Sequence, residues 1–175
     1  MKTINKKNYL PVVHGDLFQF VEKLIHDRNH GTSVIVPHVC NNIDLFGAGF
    51  AAAVAKYYPI VKTNYHLLGN KQTLGYTQFV TVAENKEYEH KLVFANMISQ
   101  NGVISHNNQR PLNYAALVKS MINVSQFINQ NFDKHNPVQI HAPKFGCGLA
   151  GGEWGFVSEL IKDIWGNYSV FVYQK

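Results

Sequence analysis

Three segments of this sequence combine residue types that are awkward for structure alone and useful for chemistry. The first is His14-Gly15-Asp16, just after a short β-type run. Its carboxylate can cap a following helix, or it can accept a hydrogen bond from an exocyclic amine such as that of adenine. The second runs from His38-Val39-Cys40-Asn41-Asn42 to Leu45-Phe46-Gly47-Ala48-Gly49. Asparagines there can hold ribose hydroxyls. Glycines in a turn that opens a helix let backbone N–H groups approach phosphate oxygens, with the helix dipole in support. The third is Lys144-Phe145-Gly146-Cys147-Gly148-Leu149-Ala150-Gly151-Gly152, where four of the seven residues from 146 to 152 are glycine. That density costs conformational entropy unless the backbone needs it, and such a loop binds chiefly through main-chain N–H groups. Two loops of this kind facing each other would clamp a diphosphate.

The candidate reactive groups are few. His38 can serve as an acid or base, since an unperturbed imidazole titrates near neutrality; its alternative role is a hydrogen bond at a strand end. Asn41 can orient a water or hold a ligand hydroxyl. Cys147 could be a nucleophile, but no histidine is adjacent in sequence to activate it. Asp44 could activate water, although an anion beside a diphosphate is unfavourable, so a solvent-facing turn is its default reading. Trp154 and Trp165 read as core or anchoring aromatics. The lysine and hydroxyl of a Walker loop and the dinucleotide fingerprint are both missing, which excludes a P-loop kinase and an NAD dehydrogenase.

These loops need rigid elements to position them. Strand character is expected over Tyr9 to Val13, Ser33 to Val39, Phe79 to Val82, Lys91 to Met97, Val138 to Ala142 and Ser169 to Tyr173. Apolar residues at helical spacing place helices over Leu17 to His26, Gly49 to Tyr58, Ile60 to Leu68, Asn113 to Phe132 and Glu153 to Trp165. Alternation of this sort argues a three-layer α/β domain with a mixed sheet, whose ligand loops follow the carboxyl ends of the strands.

With 175 residues, 46% of them apolar and 15% charged, the chain has enough material for one core and too little for two. Intrinsic disorder is excluded. No apolar run approaches the ~18 residues of a membrane span, and no signal peptide is read in residues 1 to 17. Cys40 and Cys147 make no disulfide framework and no zinc spacing, so a cytoplasmic location is expected. The net charge of +5 comes from scattered lysines with only Arg28 and Arg110, which fits a small phosphorylated ligand better than a long polyanion.

Taken in order, these loops resemble the macro domain family, which binds ADP-ribose, over nearly the whole chain. Gly15-Asp16-Leu17 is similar to the family's early element, whose aspartate meets the adenine amine. Asn41, in His38-Val39-Cys40-Asn41, matches the asparagine that contacts the distal ribose. Phe46-Gly47-Ala48-Gly49 resembles the first phosphate loop. Pro143 and Gly146-Cys147-Gly148-Leu149-Ala150-Gly151-Gly152 resemble the second, and Phe171-Val172-Tyr173 the final strand beside the adenine.

The resemblance implies a single α/β/α macro domain over residues 1 to 175, with a mixed, mostly parallel six-stranded sheet. It implies a ligand site of Asp16, Leu17, Asn41, Phe46, Gly47, Ala48, Gly49, Gly146, Cys147, Gly148, Leu149, Ala150, Gly151 and Tyr173, with Asn41 and His38 as the catalytic candidates and no metal or other cofactor. The branches most alike are the ADP-ribose 1″-phosphate phosphatases and the hydrolases that remove ADP-ribose from glutamate. The latter use a lysine and an aspartate where this chain has Gln100 and Ala150. The expected partner is ADP-ribose, its 1″-phosphate, or an ADP-ribosylated protein or nucleic acid. The alternative is a non-catalytic module that reads ADP-ribose.

Overall fold

The computed structural model describes residues 10–28 and 31–174. Its order is β1 (Val12–His14), α1 (Leu17–His26), β2 (Ser33–Asn41), α2 (Gly49–Tyr57), α3 (Pro59–His66), β3 (Thr77–Asn85), β4 (His90–Gln100), α4 (Tyr114–Asn131), β5 (Val138–Pro143), α5 (Trp154–Trp165) and β6 (Ser169–Gln174), with a 3-10 turn at Gly69–Lys71 between α3 and β3. The strands form one six-stranded sheet in the order β1-β6-β5-β2-β4-β3. All neighbours are parallel except the edge strand β3, which runs antiparallel to β4. Tyr9, the start of the expected first strand, lies outside the described residues.

Period-2 alternation on the central strands builds two cores, one on each side of the sheet. Val34 and Val36 of β2, with Leu92, Phe94 and Ile98 of β4, pack beneath α1, α2 and α3. Ile35, with Val93, Ala95 and Met97, faces the other way onto α4 and α5. Strands buried on both faces read as continuous apolar runs, as Ser33 to Val39 does. Within the second core Trp165 is fully buried, and its indole Nε1 donates to the Met121 carbonyl at 3.0 Å, tying α5 to α4.

Two helices are started by side chains. Asp16 Oδ1 accepts from the Phe18 amide at 2.9 Å, capping α1. Asn113 caps α4 by accepting from the Ala116 amide at 2.9 Å. β3 and β4 are longer than expected because they pair with each other almost end to end, from Thr77↔Met97 to Asn85↔His90, with an irregularity between Thr81 and Ala83. No helix among the described residues is long and apolar enough to cross a membrane.

Asn113→Ala should lower unfolding free energy by about 1 kcal/mol, whereas Asn113→Ser should restore most of it. Urea unfolding of both variants checks the cap; equal stability of Asn113→Ala and the parent would contradict it.

Candidate functional site

The second and third segments follow the carboxyl ends of β2 and β5, adjacent strands in the sheet. They meet across a cavity of about 730 Å³, within the ~300–1,000 Å³ of small-molecule sites. Of the residues expected to form the site, His38, Asn41, Phe46, Gly47, Ala48, Gly49, Gly146, Gly148, Leu149 and Ala150 line this cavity. The loops approach closely: Leu149 Cδ1 lies 3.6 Å from where a Cβ on Gly49 would stand, and Gly49 itself has a left-handed φ of 57°.

Both loops present free donors. α2 begins at Gly49 with no side-chain cap, and the first N–H groups of a helix have no intrahelical partner. The amides of Gly49, Phe50 and Ala51 engage no acceptor among the described residues, and Ala52 is the first to turn back, to Ala48. In the other loop, the Gly151 and Gly152 amides close internal turns onto the carbonyls of Gly148 and Gly146, while those of Gly148, Leu149 and Ala150 stay open. Lys62 and Lys144 add positive charge to the lining.

Asn41 organises the first loop. Its Oδ1 accepts from the amides of Ile43 and Leu45, both at 3.1 Å, and its Nδ2 donates to the Leu45 carbonyl at 2.6 Å. The buried Tyr65 hydroxyl donates to the Asn41 carbonyl at 2.7 Å. One Asn41 N–H remains for a ligand. Next to it, Asn42 fixes the following segment: its Oδ1 accepts from the Gly102 amide at 2.8 Å, and Val103 and Ile104 join the cavity wall.

The tautomer of His38 can be read from its chain of partners. Gln78 Nε2 donates to the Asn64 carbonyl, so Gln78 Oε1 accepts from Asn96 Nδ2, and Asn96 Oδ1 faces His38 Nε2 at 2.7 Å. His38 therefore carries its proton on Nε2, pointing into β4. Burial pushes its pKa down to about 4 against the help of Asn96, which leaves a neutral ring whose Nδ1 has Cys40 Sγ 3.8 Å away. Burial raises the Cys40 thiol far above its usual range. It also raises Cys147, to about 11, so neither is a ready thiolate.

Five expected residues do not line the cavity. Asp16 caps α1, Leu17 is buried in the core, and Cys147 Sγ donates to the Phe145 carbonyl at 3.4 Å. Gly151 packs against the Gln109 carbonyl with a φ of 71°, leaving no room for a side chain. Tyr173 holds His141 Nδ1 through its hydroxyl at 2.7 Å and takes the ring of Phe20 edge-on at 5.8 Å. Tyr173 pairs with Val13 across β1 and β6, so Asp16 and Tyr173 belong to the neighbouring β1–β6 end of the sheet.

Sequence reasoning missed Lys62, His66, Val103 and Ile104, which α3 and the β4–α4 connection bring to the cavity. Asp44, expected to be a solvent-facing turn, is exposed and has a left-handed φ of 63°. Its Oδ1 accepts from His66 Nδ1 at 2.7 Å and from Gln72 Nε2 at 2.6 Å. These two hydrogen bonds, Gln72 foremost, hold its carboxyl below the usual range.

No protein-family model matches this chain, and no curated protein matches it. Solved structures do. The structure of a macrodomain protein from Streptomyces coelicolor aligns with a TM-score of 0.70 and 26% identity, covering 95% of this chain and 99% of that one. The macrodomain of Thermus aquaticus DarG aligns at 0.68 with 16% identity, covering 95% and 99%. Thermosipho africanus DarTG, solved in complex with ADP-ribose, aligns at 0.63 with 17% identity, covering 94% of this chain and 42% of that one.

A mixed sheet between two helical layers, with glycine-rich loops following the carboxyl ends of adjacent parallel strands, defines a three-layer α/β domain. The chain has the fold of these macrodomains along nearly its whole length.

His38 and His141 are both buried, and burial holds each near a pKa of about 4, below the 6.5 of a free imidazole. The unfolded chain then binds more protons than the folded one between those values. Stability is fully present above pH 6.5 and is lost as pH falls toward 4, by about 1.4 kcal/mol per pH unit for each ring. Urea unfolding at pH 7, 6 and 5 should show this loss. A midpoint constant across that range would contradict the buried neutral rings.

Proposed function

We propose that this protein binds ADP-ribose and hydrolyses a derivative of it carrying a phosphate or acyl group on the distal ribose. The observation that carries this reading is the pair of loops, each with amides that meet no acceptor among the described residues, that line one cavity. A diphosphate is the ligand that two rows of fixed N–H donors fit best, because such donors need no reorganisation to receive it. The remaining N–H of Asn41 lies on the same strand end and suits a ribose hydroxyl. Asp16 and Tyr173, at the β1–β6 end two strands along, suit the adenine at the other end of a long ligand. The macrodomain neighbours, one solved with ADP-ribose, support the same ligand.

A non-catalytic reader is the second reading, favoured by the uncharged Gln100 and Ala150 in the cavity lining where a lysine–aspartate pair would be expected. Phosphorus NMR with ADP-ribose 1″-phosphate separates the two: an inorganic phosphate line with the diphosphate preserved indicates turnover, and shifted diphosphate lines alone indicate a reader.

A Cβ built on Gly148 meets nothing within 4 Å, so Gly148→Asp fits without clash and places an anion among the open amides. ADP-ribose affinity by calorimetry should fall by at least about 30-fold, some 2 kcal/mol, with an unchanged melting temperature. Retained affinity would remove the diphosphate from this loop.

A further inference from the structure

Asp44 is a non-glycine residue in the left-handed region, a conformation that costs free energy and persists where surroundings hold it. What holds it is a pair of donors, His66 Nδ1 and Gln72 Nε2, both on Oδ1. Gln72 is itself fixed by donating to the Tyr65 carbonyl at 3.1 Å. A carboxylate only accepts, so His66 presents an Nδ1 proton to Asp44, and in the neutral ring Nε2 carries the lone pair. No hydrogen bond among the described residues engages that nitrogen, and both His66 and Asp44 line the cavity. An oriented imidazole with a free Nε2 and a carboxylate behind Nδ1 is the arrangement a general base requires. Lys62 lies one turn earlier on α3, also lines the cavity, and forms no ion pair among the described residues. Residues four apart share a helix face, so α3 offers a base and a cation together.

We propose that His66, oriented by Asp44 and Gln72, is the proton-transfer residue of this cavity, acting with Lys62 on a phosphate monoester at the distal ribose. The inference rests on the ADP-ribose reading above. In the step it describes, a water proton passes to His66 Nε2 while the water oxygen bonds to phosphorus. The bond from phosphorus to the sugar oxygen breaks, and the imidazolium returns its proton to that oxygen, giving ADP-ribose and inorganic phosphate. Lys62 offsets charge on the non-bridging oxygens. His38, whose proton is committed to Asn96, takes no part in the transfer.

The test uses ADP-ribose 1″-phosphate with the parent protein, His66→Ala and Asp44→Asn. The parent should release phosphate, and in ¹⁸O-water the label should enter the phosphate. His66→Ala should lower kcat by about 100-fold, and added imidazole should recover part of it. Asp44→Asn, which tolerates the left-handed backbone, should lower kcat by about 10-fold. ADP-ribose affinity in both should stay within about threefold of the parent. An equally active His66→Ala, a loss that imidazole does not rescue, or label in the ribose would overturn the inference. A parent that binds ADP-ribose without turnover overturns it while sparing the ligand reading. A parent that binds no ADP-ribose overturns both.

Discussion

The geometry of the cavity depends on the end of β2. This strand is the hub of the sheet, paired with β5 on one side and β4 on the other, and its register against β4 shifts between Cys40 and Asn41. After the shift Asn41 pairs with Gln100 as the last residue of the strand, and its side chain organises the chain beyond the ladder. Through the amides of Ile43 and Leu45 and the Leu45 carbonyl it bends residues 41–45 into a compact loop. Tyr65 secures the same residue from α3. Beyond this bend come the open amides of Gly49 to Ala51. An unsatisfied backbone donor costs free energy when buried; here the residues that carry the donors line an open cavity.

Behind the loop, the sheet is locked by polar groups as well as apolar packing. The run His38–Asn96–Gln78 crosses β2, β4 and β3 and ends on the Asn64 carbonyl of α3. Every member has a defined donor and acceptor, which satisfies the requirement for burying such a network. A second, smaller network joins His141 to Gln139 and Tyr173 on β5 and β6. Each fixes side-chain direction at the carboxyl end of the sheet, where apolar packing alone would leave rotamers freer.

The helices and central strands were legible because their signals are local. The apolar period of Leu17 to His26 and the continuous run after Ser33 each appear where expected. The two glycine loops were legible from composition; in the structure Gly49, Gly146 and Gly151 have left-handed φ, and close packing at Gly151 and Gly152 leaves no room for a Cβ. Strand ends were less legible, since β3 and β4 are extended by pairing with each other rather than by their own residues. His38 was visible as a histidine at a strand end, but whether it titrates near neutrality depends on Asn96, 58 positions away, and on complete burial. His66 gave no signal at all. It sits on a short helix of weak pattern, and its partner Asp44 lies 22 positions earlier. Contacts over such separations are set by topology.

Asp44 also shows how a sequence-level objection is resolved by geometry. A carboxylate near a diphosphate site is unfavourable when it is free, because like charges repel in a low-dielectric cavity. Here its Oδ1 is taken up by two donors, the His66 imidazole and the Gln72 amide, which offset its charge at the cavity wall. The donors expected to face phosphate are backbone N–H groups on the other loop segments, together with Lys62 and Lys144. Fixed amides lose little conformational entropy on binding, whereas a lysine must be ordered. A cavity whose loops carry open amides can therefore hold an anion while the chain's basic residues stay dispersed along the sequence, and its net charge of +5 need not be read as a nucleic-acid footprint.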